Sequence, residues 1–305
     1  MGKGLIAEVL KLYLTQTGQS ADQLPVQLAN LLANHISNNS GYLARTEIER
    51  ILGSLKSDAN RLEPYGFKVY SQNDEDGILS EIFKRLGILS GSFCEIGVEN
   101  GLECNTLYLI HNGWRGAWLE GDANRQAQIE SKFESLLGNK RLCVRVELIT
   151  PENINDCLRR SLELIDRDAT NLDFLSIDVD GNDIYLWEAL EYKPKVICIE
   201  YNAKFPPPLS KKPVSNPKNV WRGSDYMGSS LVALSELATI KGYSLVATNI
   251  TGANAFFVRN DMVGDKFHVN STPEFLYNPP RYWLTFDHFN RIGHRADFGP
   301  YTDLA

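Results

Sequence analysis

The chain has 305 residues, enough for one large domain plus an appendage. Its formal net charge is −7 and its charged residues are evenly mixed, so we expect no nucleic-acid partner. No stretch approaches the roughly 18 uninterrupted apolar residues of a membrane span. The five cysteines show no C-x-x-C spacing, which favours reduced thiols and a cytoplasmic protein.

Residues 1–62 are predicted to form a helical region. One helix runs to Thr17, a second begins at Ala21 and a third spans Tyr42 to Leu55. The second carries a stripe of leucines at helical spacing, which favours packing over a groove for a partner. This region is expected to cap the next domain or to form a homo-oligomer.

Strands and helices alternate after a helix predicted from Gln72 to Gly87, whose N-cap would be Asn73 or Asp74. The strands are predicted at Ser92–Ile96, Gly116–Leu119, Leu142–Val146, Phe174–Ile177 and Val196–Glu200. The helices between and after them are predicted near Cys104–Asn112, Arg125–Leu137, Asn153–Leu164, Ile184–Ala189 and Leu231–Lys241. This alternation predicts an α/β fold with a doubly wound, mostly parallel sheet.

The last third of the chain departs from that alternation. Residues 203–230 are too long and too rich in proline for a plain connector, and we predict a lid there. Tyr243–Thr248 and Asn254–Arg259 are predicted to form a β-hairpin. We therefore expect the main domain at residues 63–265 and a C-terminal extension at residues 266–305.

A nucleoside-binding pattern accompanies the first two strands. The first strand contains Glu95, glycines follow at Gly97 and Gly101, and the second strand ends at Glu120, which suits two ribose hydroxyls. Glu95 and Glu99 would repel a pyrophosphate but suit the ammonium and sulfonium of S-adenosylmethionine. The pattern resembles the first motif of class I methyltransferases, although the middle glycine is absent. The alternative is an ordinary buried strand with turn glycines.

A second group of acids follows the fourth and fifth strands. Asp178, Glu200 and Asn202 are predicted to meet at neighbouring strand ends and to hold Mg²⁺ or another divalent cation. Asp180 is predicted to accept the proton of an acceptor hydroxyl. Two alternatives stay open: Asp180 or Asn182 caps the following helix, or the same residues bind substrate hydroxyls without a metal.

Several motifs together resemble the FkbM-like S-adenosylmethionine-dependent methyltransferases. They lie at residues 70–79, at the Glu95 pattern, at residues 178–183 and at residues 242–258, so the resemblance covers about residues 65–260. It implies a seven-stranded Rossmann-like sheet and O-methylation of a sugar, glycan or related metabolite. The expected cofactor-binding residues are Ser71, Gln72, Asp76, Glu95, Gly97, Glu99, Gly101, Asn105, Thr106, Glu120 and Asp178.

Weaker signals and a rival function complete the sequence predictions. His268 is a candidate general base, whereas His288 and His294 beside Tyr282 and Trp283 are candidates for an aromatic sugar platform. The rival is a metal-dependent nucleotide-sugar glycosyltransferase, because two aspartates one residue apart after an apolar strand also hold a metal and a sugar diphosphate. A scaffold without catalytic activity is a third interpretation.

Overall fold

The computed structural model describes residues 41–216, 221, 223–284 and 297–298. Its strands are β1 (Ser92–Ile96), β2 (Arg115–Glu120), β3 (Leu142–Val146), β4 (Phe174–Ile177), β5 (Val196–Glu200), β6 (Tyr243–Thr248) and β7 (Asn254–Arg259). They form one seven-stranded sheet in the order β3-β2-β1-β4-β5-β7-β6, in which β7 alone runs antiparallel to its neighbours. The predicted fold class is confirmed.

Helices flank the sheet and connect its strands. They are α1 (residues 41–55), α2 (Glu75–Leu86), α3 (Leu107–His111), α4 (Gln126–Lys132), α5 (Glu134–Gly138), α6 (Ile154–Glu163), α7 (Asp183–Ala189), α8 (Leu231–Lys241), α9 (Asn260–Val263), α10 (Pro273–Leu276) and α11 (Tyr282–Leu284). The single helix predicted at 125–137 is two helices that meet at Phe133. Its ring is fully buried and lies edge-on to Trp118, with ring centroids 4.8 Å apart.

The sheet is buried on both faces, as its nearly continuous apolar strands predict. On one face Cys94 pairs with Ala117 and Leu175, and α6 covers them with an apolar stripe that includes Leu158. On the other face the side chains of β1, β2 and β4 pack under α2. Both faces are therefore filled, and the carboxyl edge of the parallel strands is the place left for a ligand.

The N-terminus of α2 joins this edge through the carboxylate of Glu75. One oxygen accepts hydrogen bonds from the side-chain amides of Asn73, Asn249 and Asn254 at 2.8, 2.7 and 2.9 Å. The other oxygen accepts the backbone N–H of Asn73 at 2.7 Å. Asp74, one of the two predicted N-cap residues, occupies the N-cap position of α2, but its side chain makes no capping hydrogen bond. Glu75 instead ties the helix to the β6–β7 hairpin.

Helix α1 packs against the hairpin, since Ala44 and Ile51 lie in one buried cluster with Ile250 and Leu284. The helices predicted up to Thr17 and from Ala21 lie outside the described residues. Within the described part of the chain, no helix is long and apolar enough to cross a membrane. All five cysteines are buried and form no disulfide.

We predict that Glu75→Ala lowers the free energy of unfolding by about 3 kcal/mol or more, because three buried amide groups lose their acceptor. Glu75→Gln keeps the shape and one acceptor oxygen, so it is expected to cost less. Urea unfolding of both variants measures the difference. Equal stability of Glu75→Ala and the unmodified protein would show that the hairpin amides have other acceptors.

Candidate active site

Three carboxylates meet beyond the ends of β4 and β5. Asp178, Asp180 and Glu200, which we call the acid triad, each offer an oxygen within 4.8 Å of the other two. One oxygen of Glu200 is buried and has no hydrogen-bond partner. Such a set of oxygens fits a divalent cation. Asp178 and Glu200 are two of the three predicted ligands, and Asp180 lies beside them.

Asp183 shapes the loop that carries the triad aspartates. Its buried carboxylate accepts the backbone N–H groups of Val179 and Gly181, both at 2.8 Å. The loop holds Asp180 at φ 55°, a left-handed conformation that costs a non-glycine residue free energy. Helix α7 begins after Asn182, which occupies its N-cap position. No side chain makes a capping hydrogen bond there, so the alternative of a side-chain cap by Asp180 or Asn182 is not found.

The acids of this loop raise one another's pKa values. Burial raises the pKa of Asp178 well above its usual range, and the nearby carboxylates of Asp183 and Asp180 add to this. Burial and the charge of Asp178 do the same to the pKa of Glu200. Neither Asp178 nor Glu200 pairs with a described lysine or arginine. This edge of the sheet therefore attracts a cation.

Glu95 holds the loop that follows β1. Its carboxylate accepts the N–H of Asn105 at 2.8 Å and both the N–H and the hydroxyl of Thr106, at 3.0 and 2.5 Å. Burial nevertheless raises the pKa of Glu95 to about 6. These bonds fix the backbone of the loop after β1, and the predicted contact between Glu95 and the cofactor stays a prediction.

The glycine of this loop permits a close backbone approach. At Gly97, where φ is 85°, an added Cβ would lie 1.7 Å from the carbonyl oxygen of Asp178. No side chain fits there, so the ends of β1 and β4 can touch. Gly101, at φ 77°, faces the ring of Trp118 at 2.5 Å from its would-be Cβ. Gly97 thus lets the loop after β1 lie against the loop that carries Asp178 and Asp180.

Glu120 stands at the end of β2, as predicted. One of its oxygens accepts the N–H of Glu99 at 2.7 Å, and the other accepts the N–H of Asp122 at 2.8 Å. Glu99 has φ 50°, so it is, after Asp180, a second acidic residue with a left-handed backbone conformation beside the site. Each Glu120 oxygen keeps capacity for a further hydrogen bond, because a carboxylate has about four lone-pair sites. Glu120 can therefore accept two hydroxyls without releasing the loop.

The segment before α2 is also organised by a carboxylate. One oxygen of Asp76 accepts the N–H groups of Val69, Tyr70 and Ser71 at 2.7, 2.7 and 3.0 Å, and its other oxygen is buried without a partner. The Ser71 hydroxyl accepts the N–H of Asp76 at 3.2 Å. Gln72 is exposed. The contacts of Ser71 and Asp76 are internal to this turn, and their predicted role at the cofactor stays a prediction.

Asn202 ties down the lid segment, residues 203–230, instead of offering its oxygen to a metal. Its amide nitrogen donates to the carbonyls of Asp225 and Met227 at 2.9 and 2.7 Å, and its oxygen accepts the N–H of Lys204 at 3.1 Å. These bonds join the two ends of the segment. Asn202 was predicted as a ligand because it follows β5, and sequence order alone does not reveal where its amide points.

The triad loop also holds the lid segment. Asn182 donates to the carbonyl of Asn216 at 2.8 Å and accepts its N–H at 3.3 Å, and the Tyr185 hydroxyl donates to Pro213 at 2.7 Å. Trp221 and Tyr226 in the segment are 49% and 57% exposed. Two large aromatic faces therefore stand open in a segment that is fastened to the triad loop.

Tyr282, predicted beside an aromatic sugar platform, lies within electrostatic reach of the triad. Burial and, after it, the charge of Glu200 raise its pKa to about 12. His268, the predicted base, stacks on Phe275 and lies 3.3 Å from Asp58, and none of its described contacts is with the triad. His288 and His294 lie outside the described residues.

Comparison with solved structures returns methyltransferases of low similarity. A Staphylococcus aureus protein provisionally described as a caffeoyl-CoA O-methyltransferase has TM-score 0.42 and 14% identity over 72% of this chain and 99% of its own. The METTL16 methyltransferase domain has TM-score 0.40 and 14% identity over 64% of this chain and 70% of its own. The N-terminal domain of EvdMO1, solved with S-adenosylhomocysteine and D-fucose, has TM-score 0.39 and 14% identity over 70% and 94%.

No protein-family model matches the chain, and no curated protein sequence matches it. The likenesses to solved structures, all at low identity, say nothing about activity. An activity is therefore inferred only from this chain's own residues at the carboxyl edge of the sheet.

The buried carboxyl of Asp76 is expected to make the stability of the protein depend on pH. Burial raises its pKa to about 6, so the folded state keeps this proton to a higher pH than the unfolded chain, whose aspartates titrate near 3.9. The contribution of protonated Asp76 to stability is complete below the pKa of this residue in the unfolded chain, and it is lost as the pH rises through 6. We predict that the stability of the unmodified protein relative to Asp76→Asn falls between pH 4 and pH 7. Denaturant unfolding at several pH values measures it, and parallel profiles would contradict it.

Proposed function

We propose that this chain is an S-adenosylmethionine-dependent O-methyltransferase that acts on a hydroxyl of a sugar, glycan or related metabolite. The observation that supports it most is the acid triad beside the Gly97 loop. The cofactor carries a sulfonium and an ammonium, and the carboxylates of Asp178 and Glu200, which pair with no described lysine or arginine, attract such charges. A nucleotide diphosphate would meet repulsion at the same edge.

The proposed cofactor position follows the order of the strand ends. Glu120 at the end of β2 takes the two ribose hydroxyls, and the loop at Gly97 and Gly101 receives the methionine part. Glu95 does not touch the cofactor in this proposal. It holds the N–H groups of Asn105 and Thr106, so the loop keeps its shape when the cofactor leaves.

The reaction requires a hydroxyl that loses its proton as it attacks the methyl group. We propose Asp180 as the acceptor of this proton, since burial and Glu99 raise its pKa from the usual range toward that of an effective base. Asp178 and Glu200, whose carboxylates lie beside Asp180, would hold a divalent cation. Such a cation lowers the pKa of a bound hydroxyl. The other residues orient the acceptor.

The acceptor is proposed to lie between the triad and the lid segment. Trp221 and Tyr226 present exposed aromatic faces, which suit the apolar face of a sugar ring. Tyr282 adds a phenol near Glu200. Closure of the lid segment would exclude water from the methyl transfer. Gly223 and Gly228, at φ 75° and 45°, are the proposed hinge positions.

Isothermal titration calorimetry with S-adenosylhomocysteine tests the cofactor. We predict binding in the low micromolar range or tighter, and a loss of about 1.5–3 kcal/mol in Glu120→Ala, the scale for charged hydrogen bonds. Glu134→Ala, an exposed acid on α5, is the control and is expected to bind normally. Absence of binding, together with tight binding of a nucleotide sugar, would favour the glycosyltransferase instead.

A second experiment separates the base from the metal. With the best acceptor from a panel of glycosides and nucleotide sugars, Asp180→Asn is predicted to lose turnover by about 10²-fold or more, the scale of general base catalysis. Asp166→Asn is the matched control, because Asp166 is an exposed aspartate that also has a positive φ, 57°. Wild-type turnover in Asp180→Asn would reject the base. Full turnover after exhaustive chelation would reject the metal.

A further inference from the structure

A cavity separate from the acid triad lies between α1, the turn before α2 and the β6–β7 turn. Its volume is about 350 Å³. Four apolar side chains line most of it: Ile48, Leu52, Phe67 and Ile250. Its polar lining comes from Lys68 and Asp74. Neither the sequence motifs nor the proposed methyl transfer uses this cavity.

Asp74 is the unusual group in the lining. Its side chain is buried, with the residue only 3% exposed, and its Oδ1 has no hydrogen-bond partner. Gly66 lies against the other oxygen, because a Cβ there would come within 2.7 Å of Oδ2. An unpartnered buried carboxyl oxygen destabilises the folded state. Backbone hydrogen bonds from Asp74 and Ile250 favour the carboxylate of Asp74, but they leave its Oδ1 without a partner.

The nearby charges leave Asp74 without a cation. Lys68 lines the cavity, but its ammonium is held by the Gln72 carbonyl at 3.2 Å and by Glu103 at 3.1 Å. Arg61 forms an ion pair with Glu63. Burial, and after it the carboxylate of Glu75, raises the pKa of Asp74 well above its usual range. The Lys68 ammonium is thus bonded elsewhere, and no described lysine or arginine forms an ion pair with Asp74.

We propose that this cavity binds an organic cation: a protonated amine carried on an apolar body of about the size of a cyclohexyl ring. The ammonium would pair with Asp74, and the apolar body would contact Leu52, Phe67 and Ile250. This occupant would give the Asp74 carboxyl a charged partner and would cover the apolar wall at once. A carboxylate or phosphate ligand would meet repulsion from Asp74 and Glu75. The inference is independent of the proposed methyl transfer.

Cyclohexylamine is the probe, and cyclohexanol, of the same shape without the charge, is its control. Thermal unfolding and calorimetry without cofactor are expected to show stabilisation and binding with the amine only. Asp74→Asn is expected to weaken amine binding at least tenfold. It should also raise the unfolding temperature of the ligand-free protein, because a costly buried acid is removed. Asp265→Asn, an exposed acid, should change neither result.

Each outcome decides the proposal. Equal amine binding by Asp74→Asn and the unmodified protein would place the amine elsewhere, such as at the triad, and would overturn it. If the amine and the alcohol bind and stabilise the protein equally, the cavity recognises only apolar shape, and the proposal is also overturned. If Asp74→Asn is less stable than the unmodified protein, the carboxyl is structural and the proposal fails. Leu52→Trp, which fills the cavity, provides a second test, since it should abolish amine binding while leaving Asp74 in place.

Discussion

Mutual repulsion among buried carboxylates at the carboxyl edge of the sheet is the constraint on which this structure depends. The fold meets it in two ways. Glu75, Glu95, Asp76 and Asp183 accept hydrogen bonds from backbone or amide N–H groups, and these bonds shape the loops around the edge. The triad residue Glu200 keeps an unpartnered oxygen. Hydrogen-bonded acids thus shape the loops of this edge, whereas Glu200 keeps a buried oxygen without a partner.

The same strand ends also control the lid segment. Asn202, two residues beyond Glu200, joins both ends of the segment, and Asn182, two residues beyond Asp180, holds its middle at Asn216. A cation that draws Asp180 and Glu200 together would therefore act on the anchors of the lid. Gly228 completes this arrangement, since its would-be Cβ lies 3.5 Å from Glu200 Oε2. The triad residues and the residues that hold the lid segment are therefore only two positions apart along the chain.

The candidate site could be predicted from the sequence only in part. An acid or a glycine at a strand end is a local pattern, and Glu120 and Gly97 stand where that pattern placed them. The partner of each acid is not local. Glu95 bonds to residues ten and eleven positions away, and Asn249 reaches Glu75 across 174 positions. Asn202 was therefore predicted as a ligand, whereas its amide is used by the lid, and Asp180 completes the triad.

Sequence patterns predicted the strands and the doubly wound, mostly parallel class of the sheet, whereas the strand order comes from the structure. Six of the seven strands have their predicted bounds, because a buried parallel strand is a short apolar run that no surface contact can alter. Tertiary structure alone decided where a helix breaks at Phe133, which carboxylates lose their partners, and how close Tyr282 comes to Glu200. Those outcomes depend on which groups from distant segments come within hydrogen-bonding or electrostatic range, and one-dimensional patterns do not record such distances.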